Sequence, residues 1–523
     1  MKFQQIKQII SILILLFPLA SVAARGSSEV VTTPNEMVIA LGSDPEHLNP
    51  GISTGYPVAA ATANVYSALV WRNADGEPEP DLARSWDVSA DNRVFTFHLR
   101  EGVRWHDGTP FTSADVKFSM EEVLAPNHGR FTNIFERISS IDTPNDTTVV
   151  ITLEQPYAPF LISLTVFDAP ILPRHILQGQ DVLTHQITTN PVGTGPYRFV
   201  EWDRGSRIVL ERNSDYFEDP ARIERIIFRI IPDDSARATA VETGDVDYLW
   251  GFYLPVSEVD NFRRMDSVEV WQGVRIPALY FLFVNNDNEP LDNPLVRRAL
   301  MHAIDRELIV ELTQEGFGNT AISPLGGAFP YVYDGDSDLS TLYPFDLARA
   351  RQLLQEAGVG EFELTIVYDS GRPAFSDLAE ILRNSFSQIG VTLNLQPQER
   401  SVMLSTVYGE RDYDLSMQSF TSGGDPSIGY HRIYITQEFG SYFVSATGYS
   451  NAQVDDLLQR AGTTVDLAER ARLYSQASRI LAADLPLFAL YEEESFEVND
   501  ARLRGLRQSL DVRDQLHRAF WAE

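Results

Sequence analysis

Segments with a two-residue apolar period and segments with a helical period alternate along this chain, and that interleaving limits the fold more than any other feature. Met37–Leu41, Val94–Leu99, Thr148–Leu153, Arg207–Glu211 and Ile226–Ile231 alternate or run apolar in strand fashion. Asn73-Ala74-Asp75-Gly76 and Pro144-Asn145-Asp146 punctuate them with turn residues. The second half is more helical. In Pro294–Arg306, Val296, Ala299, Leu300, Ala303 and Ile304 form one apolar stripe behind a proline in the first turn, which predicts a helix over the whole stretch. Ser376–Ile389 repeats that pattern and Gly390 stops it. Asp466 with Glu469 resembles a capping box before Leu473, Ala477 and Leu481. Strand-like Val391–Leu395 returns after the second of these helices. The pattern predicts a mixed α/β protein in two lobes.

Composition narrows the function. At 523 residues the chain has room for roughly three domain-sized units of about 150 residues. It holds no cysteine, which excludes disulfides, thiolate metal sites, thiol catalysis and lipid attachment through cysteine. A formal charge of −31 argues against nucleic acid or an anionic membrane as the main partner. Lys2 and Lys7, the apolar run Ile9–Leu19 and the small residues Ser21-Val22-Ala23-Ala24 predict a signal peptide over residues 1–24, cleaved after Ala24. That run is shorter than the ~20 residues needed to span a bilayer, and Pro18 interrupts it, so no membrane anchor is expected.

Catalytic signatures are missing. The sequence has no phosphate loop, no H-E-x-x-H helix and no G-x-S-x-G elbow, and none of its nine histidines pairs at helical spacing. Asp334-Gly335-Asp336-Ser337-Asp338 approaches calcium-loop spacing, but Phe345 and Asp346 stand where a bidentate glutamate is needed. Glu492-Glu493-Glu494 reads as solvated surface. Neither a metal nor a cofactor is expected, and no enzymatic activity.

One stretch is specific. Leu82-Ala83-Arg84-Ser85-Trp86 leads through Asp91-Asn92-Arg93-Val94-Phe95-Thr96-Phe97-His98-Leu99-Arg100 to Glu101-Gly102-Val103-Arg104-Trp105-His106-Asp107-Gly108-Thr109-Pro110-Phe111 and Thr112-Ser113-Ala114-Asp115-Val116. Trp86, Phe95, Phe97 and Trp105 can pack one face of a strand pair, Asp107–Pro110 supplies a turn, and Thr112 or Ser113 caps a helix. This closely resembles the signature of the extracellular solute-binding proteins of peptide, nickel and opine ABC importers. Leu48-Asn49-Pro50, Gly193-Thr194-Gly195-Pro196-Tyr197, Arg297-Arg298-Ala299-Leu300, Ala303-Ile304-Asp305-Arg306, Ser323-Pro324-Leu325 and the Asp346–Gly358 helix follow in the family's order, so the resemblance runs from about residue 36 to the C-terminus.

The resemblance implies a two-lobe type II periplasmic-binding-protein fold of the cluster C type, with an additional inserted subdomain. Lobe I would comprise about 30–60, 190–280 and 489–523, the insert 61–189 and lobe II 281–488, with Leu279–Val284 and Leu487–Tyr491 as hinge strands. It implies a monomeric periplasmic protein that captures peptides and hands them to a membrane permease. An oligosaccharide, an opine or another polar organic solute is the alternative ligand, and an exported hydrolase the remote one. In peptide-binding relatives a lobe II aspartate pairs with the peptide's amino group. The matching stretch is Phe420-Thr421-Ser422-Gly423-Gly424-Asp425-Pro426, and counting back from Asp-Pro puts Ser422 at that aspartate's place. Asp425 is the acid that could substitute. Gly423 and Gly424 would admit a ligand close to the backbone, and Ser43 and Asp44 face the cleft in relatives. Arg372 and Arg400 could meet a carboxylate, Tyr56, Tyr66 and Tyr442 could wall the site, and Trp250 and Trp271 are better suited to the core.

Overall fold

Two large mixed sheets hold most of the strands. One has seven strands in the order Val268–Gln272, Phe496–Asp500, Tyr248–Leu249, Glu36–Leu41, Arg225–Ile230, Arg207–Arg212 and Tyr197–Asp203. The other has six, in the order Asn319–Thr320, Leu487–Glu492, Ala278–Val284, Leu415–Thr421, Phe362–Asp369 and Val391–Gln398. A four-stranded antiparallel sheet is built from Ala83–Val88, Val94–Leu99, Thr148–Leu153 and Ile138–Asn145. The computed structural model describes residues 35–273, 277–370, 372–436 and 443–522. The expected leader, 1–24, and Tyr442 lie outside them.

The chain passes from one large sheet to the other twice, between Gln272 and Ala278 and between Glu492 and Phe496. Apolar side chains follow this division into two cores. One gathers Met37–Leu41, Ile226, Phe228, Trp250 and Val498 together with Phe97, Trp105 and Ile151 of the four-stranded sheet. The other is centred on Leu279–Val284 and Leu487–Tyr491, which are antiparallel neighbours in the six-stranded sheet. Each fully buried aromatic or branched side chain contributes about 1.5–3 kcal/mol.

Local chemistry explains most boundaries. Strand Val94–Leu99 alternates half-buried and buried residues, with Phe95, Phe97 and Leu99 inward. After it, Thr109 donates its N–H to Asp107 Oδ1 at 2.9 Å and closes the turn. Thr112 and Asp115 then form a capping box that starts the helix Ser113–Phe118. Asp466 caps Leu467–Asp484 by accepting the Glu469 N–H, and Leu473, Ala477 and Leu481 are buried as their spacing predicts. Gly193 and Gly195 sit where a Cβ would lie 1.9 Å from Val65 O and 2.6 Å from Asn64 O, so only glycine lets the two backbones meet.

Three expectations need correction. The helix expected over Pro294–Arg306 ends at His302, because Asp305 caps a second helix, Arg306–Thr313, by accepting the Leu308 N–H. Ala303 and Ile304 stay buried in the turn between them, so the apolar stripe outlasts the helix. Trp271 is not core. It is 44% exposed on the first strand of its sheet, with the Arg507 guanidinium 4.0 Å from its ring centroid. Glu492 is not solvated surface but buried, and its Oε1 accepts the Gly327 N–H at 2.8 Å.

Candidate ligand-binding site at the seam between the two sheets

The stretch Phe420–Asp425 begins at the end of the strand Leu415–Thr421 and leads into a one-turn helix, Pro426–Gly429. Phe420 is buried and stacks on Phe283, with centroids 5.8 Å apart. Thr421 is exposed. Ser422 is fully buried and its Oγ accepts the Gly424 N–H at 3.2 Å. Gly423 and Gly424 have φ of +68° and +96°, conformations that disfavour a side chain. A Cβ on Gly423 would in addition lie 2.7 Å from Ile428 Cγ2 and 3.1 Å from Arg130 Nη2.

Asp425 is engaged by its own sheet's helices. Its Oδ1 accepts from the Ser427 N–H, the Ser427 hydroxyl and Arg470 Nη2, at 2.9, 2.6 and 2.6 Å. Burial works against the Arg470 charge, but the hydrogen bond and ion pair with Asp425 prevail and raise its pKa. A carboxylate so matched is a cap and an ion pair first, so the acid that might have stood in for the missing aspartate is already neutralised.

Contacts from the other side of the seam reach this loop. Arg72 donates Nη1 to Gly423 O at 2.8 Å while its Nε and Nη2 lie 3.0 Å from Asp511 Oδ1. Ala158 N–H donates to Gly462 O at 3.0 Å. Tyr157, pushed up to about 12 by burial, stands beside Ser427. Arg130 pairs with Asp168 and lies over the Phe167 ring, 4.9 Å from its centroid. Arg432 donates Nε to Gly429 O and lies 5.3 Å from the Phe420 centroid. Burial, then the Arg130 charge, lowers Arg432 to about 10.

The remaining expected residues are dispersed. Ser43 is exposed, whereas both Asp44 oxygens are used, Oδ1 by Trp202 Nε1 at 2.8 Å and Oδ2 by the Gly205 N–H at 2.9 Å. Asp44 thereby fastens its loop to the hairpin of its own sheet. Tyr66 is fully buried. Tyr56 is half-buried and packs edge-on against Trp250 and Tyr253. Arg372 donates Nη1 to Ser419 Oγ at 2.9 Å and lies over the Phe375 ring, near Glu493. Arg400 pairs with Asp369 at 3.2 Å. Asp334 of the calcium-like run is held at about 2 by hydrogen bonds from Arg479 and Ser475, and Asp338 caps a helix. Among the described residues no group of three or more His, Asp or Glu side chains could hold a metal ion.

Arg72, Arg130 and Arg432 were missed in the sequence. They come from positions hundreds of residues apart, and no local motif connects them.

The comparisons decide the family. The model of the bacterial extracellular solute-binding proteins, family 5 Middle, matches residues 77–441. The chain belongs to that family. Within family 5 it is 27% identical to the glutathione-binding protein GsiB of Pectobacterium atrosepticum over 499 residues, 92% of this chain and 94% of that one. It is 28% identical to a probable D,D-dipeptide-binding periplasmic protein, DdpA, of Escherichia coli, covering 88% of this chain and 89% of that one. The structure resembles that of the Helicobacter pylori periplasmic binding protein DppA in complex with the peptide STSA, with a TM-score of 0.79, 27% identity and coverage of 93% and 98%. It also resembles Campylobacter jejuni NikZ in complex with Ni(L-His), with a TM-score of 0.78, 26% identity and coverage of 93% and 100%. The fold is that of a type II periplasmic binding protein, and the family 5 relatives are named as binding proteins rather than enzymes. Among the described residues no helix is long and apolar enough to cross a membrane.

Proposed function

We propose that this chain is the freely diffusing, monomeric periplasmic component of an ABC importer, exported with residues 1–24 removed. It captures a short peptide or peptide-like solute between two lobes and delivers it to a membrane permease. Lobe I takes about 30–60, 190–272 and 496–523, with 61–189 inserted, and lobe II takes 278–492, so that each large sheet stays in one lobe. The observation that carries this reading is two hydrophobic cores joined by two chain crossings, with the Phe420–Asp425 loop where they meet. A ligand seated there touches both bodies, so it favours the closed arrangement by its differential affinity, and no chemistry is required of the protein.

Contacts fall to Thr421 and the Gly423 and Gly424 backbone, with Phe420 as an apolar support. Ser422 and Asp425 shape the loop. A second reading, an opine or a related organic acid, is favoured by Ser422 and by the Asp425–Arg470 pair, which leave the loop without a free acid for an amino group. Thermal-shift titration with glutathione, di- and tripeptides and an opine tests both. A true ligand at 100 times its Kd adds ~2.7 kcal/mol of stability. If none of these compounds stabilises the protein, or if a peptide is turned over by it, the proposal fails.

A further inference from the structure

Charge around the seam is unbalanced, and the imbalance spans the two bodies. Arg72 has Asp511, Arg130 has Asp168 and Arg470 has Asp425. Arg432 has no carboxylate within ion-pair distance among the described residues. Its Nε rests on the Gly429 carbonyl and its plane on the Phe420 ring, both from its own lobe. It is half-buried, and a second cation, Arg130 of the inserted segment, stands at the same loop, its Nη2 3.1 Å from where a Cβ on Gly423 would lie. His128, packed beside Arg130, is held at about 4 by burial and is neutral near pH 7, so it adds neither charge nor relief. A partly desolvated cation with no acid of its own gains when an anion joins it.

We propose that Arg130 and Arg432 form an anion subsite that receives a carboxylate of the bound solute, bridging the inserted segment and lobe II. The inference rests on the two-lobe capture reading above and gives the ligand's polarity at this loop. Where an aspartate would receive an ammonium group, this chain presents Ser422 beside an unmatched guanidinium, so the solute enters with its acid end towards the loop. Binding and closure are then coupled by one interaction. A carboxylate seated there gains charge-assisted contacts from both bodies, which favours the closed arrangement.

The test is thermal-shift and calorimetric titration of the full mature chain and its Arg432→Gln and Arg432→Lys variants. Three probes are used: a tripeptide free acid, the same tripeptide as its C-terminal amide, and glutarate, which carries carboxylates and no amine. The parent should bind the free acid at least tenfold more tightly than the amide. Arg432→Gln should abolish that preference, and Arg432→Lys, which keeps the charge, should retain part of it. Equal affinity for acid and amide, or an unchanged preference in Arg432→Gln, overturns the subsite and leaves peptide capture standing. Stabilisation by glutarate alone, lost in Arg432→Gln, overturns peptide capture and leaves the subsite standing. Failure of every anionic probe to bind the parent overturns the subsite. Arg432→Lys guards against a Gln variant that simply packs badly.

Discussion

Two arginine clusters in this molecule are built to opposite rules. Near the C-terminus, Arg513 is 1% exposed yet fully met: Nη1 on Asp81 at 2.8 Å, Nε on Ala63 O, and Nη2 on Tyr66 O and Ser67 Oγ. Arg72 meets Asp511 a short way along, and Ser509 donates to the Arg72 carbonyl. Every cation there has an acid, and the ties join residues 63–81 to 509–513. At the seam, Arg432 has none among the described residues. The contrast separates a group that holds the fold from one that holds something else. Matched buried pairs fix geometry, whereas a cation without an acid is met by carbonyls, as Arg306 is by those of Ala321, Leu339 and Tyr343, or, on the proposal above, by a ligand.

The comparison can be broken most forcefully at Arg513. Arg513→Met should strand the buried Asp81 carboxylate and cost about 3–5 kcal/mol, read from urea or thermal unfolding. A loss under 1 kcal/mol would mean that the matched cluster is not structural. Asp247 is the exception on the matched side. It accepts the Val38 N–H at 2.7 Å, and burial pushes it up to about 7. Its folded pKa lies above its unfolded value, so the native state binds the extra proton. Its contribution is therefore present at pH 4, falls as pH rises and is lost by about pH 7. Asp247→Asn should add about 1–3 kcal/mol at pH 8, change little at pH 4 and flatten stability between them, as melting curves against pH will show.

Smaller effects belong to the seam. Gly423→Ala forces an alanine to a left-handed φ against Ile428 and should cost about 1–2 kcal/mol, together with ligand affinity. An alanine variant that melts and binds like the parent would show that the loop is free to rearrange. The smallest change in stability is expected at Arg432 itself. Arg432→Gln should shift unfolding by less than about 1 kcal/mol in either direction, because no paired acid is stranded. A loss as large as that at Arg513 would place Arg432 among the scaffold charges and erase the contrast.

Much of the fold was legible in the sequence because it is written locally. Strand alternation at Val94–Leu99 and Thr148–Leu153, the Thr112 and Asp466 caps and the Gly390 stop all act over a few residues. The Leu82–Val116 run announced the family for the same reason. Where reading failed, two local rules competed or distance intervened. Asp305 is both a plausible surface residue of a long helix and a better cap for a new one, and the cap prevailed. Glu492 looked solvated beside two other acids, but its strand carries it into the six-stranded sheet's core. The loop at Phe420–Asp425 was found by its motif. Its electrostatics were not, because the partners that set them, Arg470 behind and Arg130 in front, lie far away in the chain.

Native mass spectrometry of the protein purified without denaturation tests the central claim most directly. The account expects the mature chain to carry one bound species per molecule, a set of masses belonging to short peptides or peptide-like acids, released when Arg432 is replaced by Gln. A bare chain that takes up none of the peptide or organic-acid probes, or a single bound sugar retained by that variant, would contradict it.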